Sequence, residues 1–270
     1  MKNQKINADY SISLIITTYN RPDALELVLI SILQQTEYPI EIIVADDGSA
    51  KTTQKLVEKY QKKMPIPLRH CWHSDKGFRL ATIRNKAIVM ATGEYLIMID
   101  GDMVLHKSFI KDHKKMVRQN AFVQGKRVLL GKKLSLQAIQ NQQVQFNFFH
   151  KEVKNKLNTL RIPSLTNWLL GPTHPTKGVR GCNMAFWRKD VILINGFNED
   201  FVGWGREDSE FVARLSHAGI KRINFKFGAI AYHLYHENQK KMTPKENDAL
   251  LEKTLAQKSV WCERGIKQYL

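Results

Sequence analysis

Cysteine is scarce in this chain: Cys71, Cys182 and Cys262 are the three in 270 residues. Their number is odd and their spacing fits no metal-ligand pattern. This excludes a disulfide scaffold and suits a reducing compartment. No apolar run approaches the roughly 20 residues that cross a bilayer. The opening Met1-Lys2-Asn3-Gln4-Lys5 leads straight into polar residues and a strand, so no signal peptide is expected. Also missing are a zinc finger, an aromatic RNA-binding signature, a helix-turn-helix pattern and any internal repeat. Acidic residues are few, 25 against 42 Lys and Arg, which leaves a net charge of +17.

The remaining composition, 43% hydrophobic and 25% charged, is that of a soluble globular protein able to bury one substantial core. The surplus positive charge calls for an anionic partner. Without nucleic-acid motifs, nucleic acid is not expected. Anionic lipid headgroups or a phosphorylated small molecule are. The expectation is a cytoplasmic enzyme, peripheral on the inner face of the cytoplasmic membrane, that handles a diphosphate-bearing substrate.

Along the chain, strand and helix signals alternate. Ser11–Thr18 reads as a strand, and Arg21-Pro22-Asp23 opens a helix with apolar Leu25, Leu29, Ile32 and Leu33. Glu41–Ala45 is a second strand, followed by a helix over about 52–62 that Pro65 and Pro67 stop. A short strand lies around Leu68–Trp72, a helix over 80–90, and a buried strand over 94–99. This alternation predicts an α/β fold with a mainly parallel sheet flanked by helices. Ligands of such sheets bind beyond the carboxyl ends of the strands, so Tyr19, Asp47 and Asp100 should meet on one rim.

The stretch 131–177 changes character, with Gln137, Gln140, Gln142, Gln143 and Gln145 prominent. It reads as a variable helical insertion that either covers the acceptor side of a site or forms a surface hairpin. Strand signals resume at Val179–Phe186, and Arg188 begins a helix. Gly203-Trp204-Gly205-Arg206-Glu207-Asp208 then leads into a helix that Gly219 closes. Strands follow around 221–225 and 229–236. A C-terminal helix is expected over 243–270, with Leu251, Leu255, Cys262, Ile266 and Leu270 on one side.

Three places carry chemistry. Asp100-Gly101-Asp102 puts two carboxylates at the end of a buried strand, which is costly unless a cation lies beside them. Hard oxygen ligands suit Mg²⁺ or Mn²⁺. Asp208, with Glu207 before it, opens a helix where dipole and free N–H groups favour a carboxylate. A simple helix cap would explain the acid but not an indole between two glycines. His233 and His236 follow a strand, where an imidazole could join the carboxylate rim.

In this order, Thr17-Thr18-Tyr19-Asn20-Arg21-Pro22, Asp46-Asp47-Gly48-Ser49, Arg84-Asn85, Asp100-Gly101-Asp102 and Gly203–Asp208 resemble an inverting glycosyltransferase of family 2 with the GT-A (Rossmann-like) fold. The later half is similar to the galactosyltransferase-type segment of bacterial polysaccharide polymerases and animal β-1,4-galactosyltransferases. The resemblance covers roughly 10–130, the nucleotide-sugar half, and 178–237, the acceptor and catalytic half, of one domain spanning 1–270.

The resemblance implies a UDP-sugar donor, a glycan or lipid-linked glycan acceptor, and Mn²⁺ or Mg²⁺. Tyr19 would stack on uracil and Asp47 would accept from its ring N–H, with Thr17, Arg21 and Arg84 also on the donor side. Asp100 would hold the ribose and Asp102 the metal, completed by His233 in preference to His236. Asp208 would be the base, with Glu207 beside it, and Trp204 a floor for a sugar.

Two departures stand out: Arg206 replaces a glycine of the animal relatives, and Ser209 follows Asp208 where they carry further acids. These bear on acceptor and sugar identity. The rivals are a nucleotidyltransferase that makes sugar nucleotides and a non-catalytic nucleotide-sugar-binding accessory protein. The first wants a glycine-rich basic loop after the first strand, where this chain has Thr17–Pro22.

Overall fold

Seven residues in a row from Ile12, mostly branched and apolar, can persist as a strand only if both faces are covered. They are. In a computed structural model that describes residues 10–168, 176–237 and 244–270, β1 (Ile12–Thr18) is buried along its whole length. Leu14 and Ile16 join one apolar cluster and Ile15 the cluster on the opposite face, as a period of two requires.

The chain continues as α1 (Pro22–Leu33), β2 (Glu41–Asp46), α2 (Lys51–Gln61), β3 (Leu68–Trp72), α3 (Leu80–Met90), β4 (Tyr95–Asp100), β5 (Met103–Leu105), α4 (Phe109–Met116), β6 (Ala121–Gln124) and β7 (Val128–Leu130). Then come α5 (Lys132–Gln140), β8 (Val153–Lys154), α6 (Pro163–Trp168), β9 (Asn183–Trp187), α7 (Arg188–Leu193), α8 (Glu207–His217), β10 (Lys221–Asn224), β11 (Ala231–His233) and α9 (Lys245–Gln257).

Seven strands form one sheet in the order β10-β6-β9-β4-β1-β2-β3. All its pairs are parallel except those of β9, which runs against both β4 and β6. The expected mixed, mainly parallel sheet with flanking helices is therefore what forms. Because β4 and β6 both oppose β9, they share a direction with β1, β2 and β10. The carboxyl ends of these five, and of β3 beside β2, open on one rim.

A second sheet, β5-β11-β7-β8, was not expected. Three-residue strands give too short an alternation to stand out from loop. Its consequence is local: β11 pairs antiparallel with β5, so that His233 faces Met103 in the register.

Two expectations need correction. The insertion over 131–177 forms α5, β8, a short 3₁₀ turn (Lys156–Thr159) and α6, with 169–175 outside the described residues. Its Val144, Phe146 and Val153 pack under the second sheet. Among the described residues none of it borders the two clefts discussed below. The C-terminal helix, whose expected first residue 243 lies outside the described residues, ends at Gln257, where Lys258 turns left-handed with φ 50. Cys262 and Ile266 still reach the core, but Leu255 and Leu270 are exposed, so the expected stripe is not one buried face.

Candidate active site

Backbone hydrogen bonds join three strand ends. The Asp47 N–H donates to Thr18 O at 3.0 Å, and the Gly101 N–H to Thr17 O at 2.7 Å. Thr17 Oγ1 donates to Asp100 Oδ1 at 3.0 Å. Gly48, at φ +97, lies so close to the chain at Asp75 that a Cβ would sit 2.6 Å from its Cα, which requires glycine there. This packing sets the wall of a cleft of about 250 Å³ bordered by Thr17, Tyr19, Arg21, Asp47, Asp100, Asp102 and Trp204. All of these were singled out in the sequence.

Tyr19 is exposed, and its hydroxyl donates to Asp75 Oδ2 at 2.8 Å. Arg21 pairs with Asp23 at 3.0 Å. Asp47 is buried, with Oδ1 2.7 Å from His73 Nε2 and Oδ2 accepting the Arg79 N–H at 2.9 Å. Burial raises its carboxyl above the ordinary range, against the pull of those two partners.

At one edge of this cleft Asp102, His233 and His236 bring one ligand atom each to within 4.8 Å of one another. The pairing of β11 with β5 puts them there, and the Leu234 N–H on Asp102 O at 3.0 Å secures it. Asp102 Oδ2 is 3.6 Å from His233 Nε2 and 3.7 Å from His236 Nε2, and neither is a hydrogen bond. Asp102 Oδ1 is buried without a hydrogen-bond partner among the described residues. Burial, then Arg127, pushes the His233 imidazole down to about 4, so it is neutral at physiological pH, as a metal ligand must be. Burial also raises the Asp102 carboxyl, against His236, Arg21 and Arg127. Three converging donors with an orphaned oxygen fit a divalent cation. Sequence favoured His233 over His236; the structure brings both to Asp102.

A second cleft, of about 380 Å³, shares Asp100 and Trp204 with the first. Glu207 and Asp208, at the N-terminus of α8, border it together with Arg127, Arg180 and Gly181. Beneath lies Arg84, only 1% exposed, which borders neither cleft and instead holds their carboxylates. Its Nη1 donates to Asp208 Oδ1 at 2.7 Å, and Glu207 and Asp100 are each 3.8 Å away. Burial disfavours its charge, but Asp208, Glu207 and Asp100 outweigh that, so the guanidinium titrates above its ordinary value.

Asp208 Oδ2 accepts the Gly181 N–H at 2.7 Å. A Cβ at 181 would fall 2.5 Å from both Arg84 Nη2 and Asp208 Oδ1, so only glycine leaves the pair room. Burial first, then Asp208, pushes the Glu207 carboxyl up to about 7.

Trp204 stands half exposed between the clefts on a loop with left-handed backbone at Gly203 (φ 78), Gly205 (φ 99) and Arg206 (φ 77). Arg206 thus occupies a conformation that glycine adopts freely, and its Nε reaches Asp248 of α9 at 2.6 Å. Buried Asn247 of α9 donates to Val202 O and Gly205 O at 3.2 and 3.0 Å. The C-terminal helix therefore pins the Trp204 loop. Sequence reasoning missed His73, Arg127, Gly181 and Asn247. His73, Gly181 and Asn247 act through neighbours remote in the chain, Arg127 borders the second cleft directly, and none carries a local pattern.

Residues 13–171 match the model of glycosyl transferase family 2, and 161–237 that of the N-terminal domain of galactosyltransferase. The chain is 27% identical over 263 residues to a chondroitin synthase of Pasteurella multocida (strain Pm70), covering 89% of this chain and 26% of that protein. It thus spans about a quarter of that relative's length. Staphylococcus aureus TarS 1-349 in complex with UDP superposes with a TM-score of 0.64 at 18% identity, covering 96% of this chain and 68% of that one. GalNAc-T7 with UDP, GalNAc and Mn²⁺ gives 0.66 at 15%, covering 92% and 48%. These likenesses show the GT-A fold. With more than half its length matched, the chain belongs to glycosyl transferase family 2.

Proposed function

We propose that the chain is a divalent-cation-dependent, inverting hexosyltransferase. It moves a sugar from a UDP-sugar to a hydroxyl of a bacterial surface-glycan precursor, free or lipid-linked. The observation that carries this reading is the meeting of two clefts at Asp100 and Trp204. The Asp102–His233–His236 cluster stands on one side and Asp208 with Glu207 on the other.

In this reading Tyr19 stacks on uracil, Asp47 accepts from its ring N–H, and Asp100, steadied by Thr17, holds the ribose. Arg21 completes the nucleotide side. Asp102, His233 and His236 would hold a divalent ion, which would offset the charge developing on the leaving diphosphate. Two imidazoles in the donor set favour Mn²⁺ over Mg²⁺, and the Mn²⁺ and UDP in the solved neighbours agree with this.

Asp208 takes the proton of the incoming hydroxyl from the face opposite the diphosphate. Arg84 aims it through the hydrogen bond to Oδ1, and Trp204 is the floor beneath the sugar. The enzyme works at the inner, cytoplasmic face of the membrane, held there by its +17 charge. Among the described residues no helix is long and apolar enough to cross a membrane.

The deciding experiment is a panel of UDP-sugars and GDP-sugars with Mn²⁺, scored by nucleotide release to water and to added glycans. Release from one or more UDP-sugars, abolished by EDTA, is expected. No release from any UDP-sugar, or release from GDP-sugars alone, would overturn the reading.

A further inference from the structure

The acceptor-side cleft has a basic flank; Arg127 in it also lies near His233 and Asp102, and the remaining cations are not used by the donor chemistry. Strands β6 and β10 run parallel with Asn224 opposite Gln124. Two residues beyond that pair, where both strands end on the rim, stand Lys126 and Lys226. The Gln124 side chain donates to Arg180 O at 2.8 Å and accepts the Arg180 N–H at 3.3 Å, which seats Arg180 beside them. Arg180 and Arg127 both border the cleft that holds Asp208.

Among the described residues, none of Lys126, Arg127, Arg180 and Lys226 has a carboxylate within ion-pair distance. The acids of the cleft do not fill that role, because Asp208, Glu207 and Asp100 gather around Arg84 instead.

A solvated basic face would be the ordinary explanation for a chain of +17 charge. Burial argues against it here. Arg180 and Lys226 are exposed, but Lys126 and Arg127 beside them are half-buried, and the Arg127 Nε is enclosed with no hydrogen-bond partner among the described residues. Burial, then Arg222, Lys226 and Arg180, hold the Lys126 amine below its ordinary value. Like charges crowded around the half-buried Lys126 and Arg127 repel one another, and an anion placed among them relieves that repulsion. A guanidinium fork suits a carboxylate or a phosphate, which it can grip through two bonds.

We propose that this cleft selects an acceptor bearing a carboxylate or phosphate, read by Arg127, Arg180, Lys126 and Lys226 beside the hydroxyl that Asp208 activates. The inference rests on the acceptor reading of the cleft given above. The negative group lies on the acceptor and is distinct from the donor diphosphate.

The test uses the full chain with Mn²⁺ and UDP, and measures binding calorimetrically. The probes are an oligosaccharide with alternating uronates, the same oligosaccharide after reduction of its carboxyls, and an oligo(glycerol phosphate). At low salt at least one anionic probe should bind about tenfold or more tightly than the neutral one, the span expected of a charge-assisted contact. Which anionic probe wins tells carboxylate from phosphate.

Replacing Lys126, Arg180 and Lys226 by Gln should remove most of that preference. Replacing Lys51, Lys55 and Lys62 by Gln, toward the opposite edge of the sheet, should leave most of it. Equal affinity of the wild type for charged and reduced probes would overturn the proposal. So would equal losses in the two triple variants, since net charge alone would then explain the binding. If the first triple variant fails to fold, the wild-type comparison still decides. Failure of the donor reading shows separately, as absence of nucleotide release from UDP-sugars without any acceptor.

Discussion

Asp208→Asn removes one charge and almost no volume, and the structure sets what it should cost. Asp208 holds two hydrogen bonds, from Arg84 Nη1 and the Gly181 N–H, both at 2.7 Å. Asparagine keeps one acceptor oxygen and turns its amide toward the other donor, so one bond is lost. Arg84 keeps Glu207 and Asp100 at 3.8 Å, so the buried guanidinium is not stranded. The stability cost is then about 1.5–3 kcal/mol, that of a hydrogen bond to a charged group.

The catalytic cost is larger. Without a base, kcat should fall about 10²–10⁴-fold, or roughly 3–5 kcal/mol of barrier. UDP affinity should barely change, because Asp208 does not border the first cleft. The assay is nucleotide release on the UDP-sugar found active, with UDP affinity measured alongside and the product anomer assigned by NMR. Near-normal turnover would refute the base assignment, and so would a product that retains the donor configuration. A loss of UDP binding equal to the loss of rate would move Asp208 to the donor side.

Excess EDTA and Asp102→Ala should each abolish turnover. His233→Ala and His236→Ala should each raise the Mn²⁺ needed for half-activity about tenfold or more; full turnover in EDTA would sink the cation. Gly181→Ala drives a methyl against Arg84 and Asp208, and should cost about 1–3 kcal/mol of stability together with most of kcat. An unaltered Tm and rate would show that the glycine is incidental.

Buried His113, its Nε2 3.0 Å from Asn183 Oδ1, is pushed down to about 4 by burial. It is neutral when folded and takes up a proton on unfolding below its usual 6.5. Stability should therefore fall as pH drops from 6.5 toward 4, by up to about 1.4 kcal/mol per unit. Denaturant melts of wild type and His113→Gln over that range should diverge in slope, and parallel curves would refute the cause. Vesicle sedimentation should show binding to anionic membranes that salt screens; equal partitioning onto neutral vesicles at low salt would exclude it.

Much of the candidate site was legible along the chain because strand ends mark it. Asp47, Asp100 and Asp102 follow apolar strands, and the alternation of strands and helices required that those ends share a rim. The glycines around Trp204 likewise marked backbone that a side chain resists.

Distant partners were not legible. Arg84 sits inside an apolar-patterned helix, and nothing nearby shows that its counter-charges come from residues 100, 207 and 208. Period and capping carry strand and helix order locally, so the sequence alone determined the mainly parallel sheet and the residues at its open end. The pairing of β11 with β5 that brings both histidines to Asp102 came only from the folded chain. So did the burial of Arg84 under two clefts and the hold of α9 on the Trp204 loop. Their energies depend on contacts across more than a hundred residues in the first two cases and about forty in the third, which no local pattern encodes.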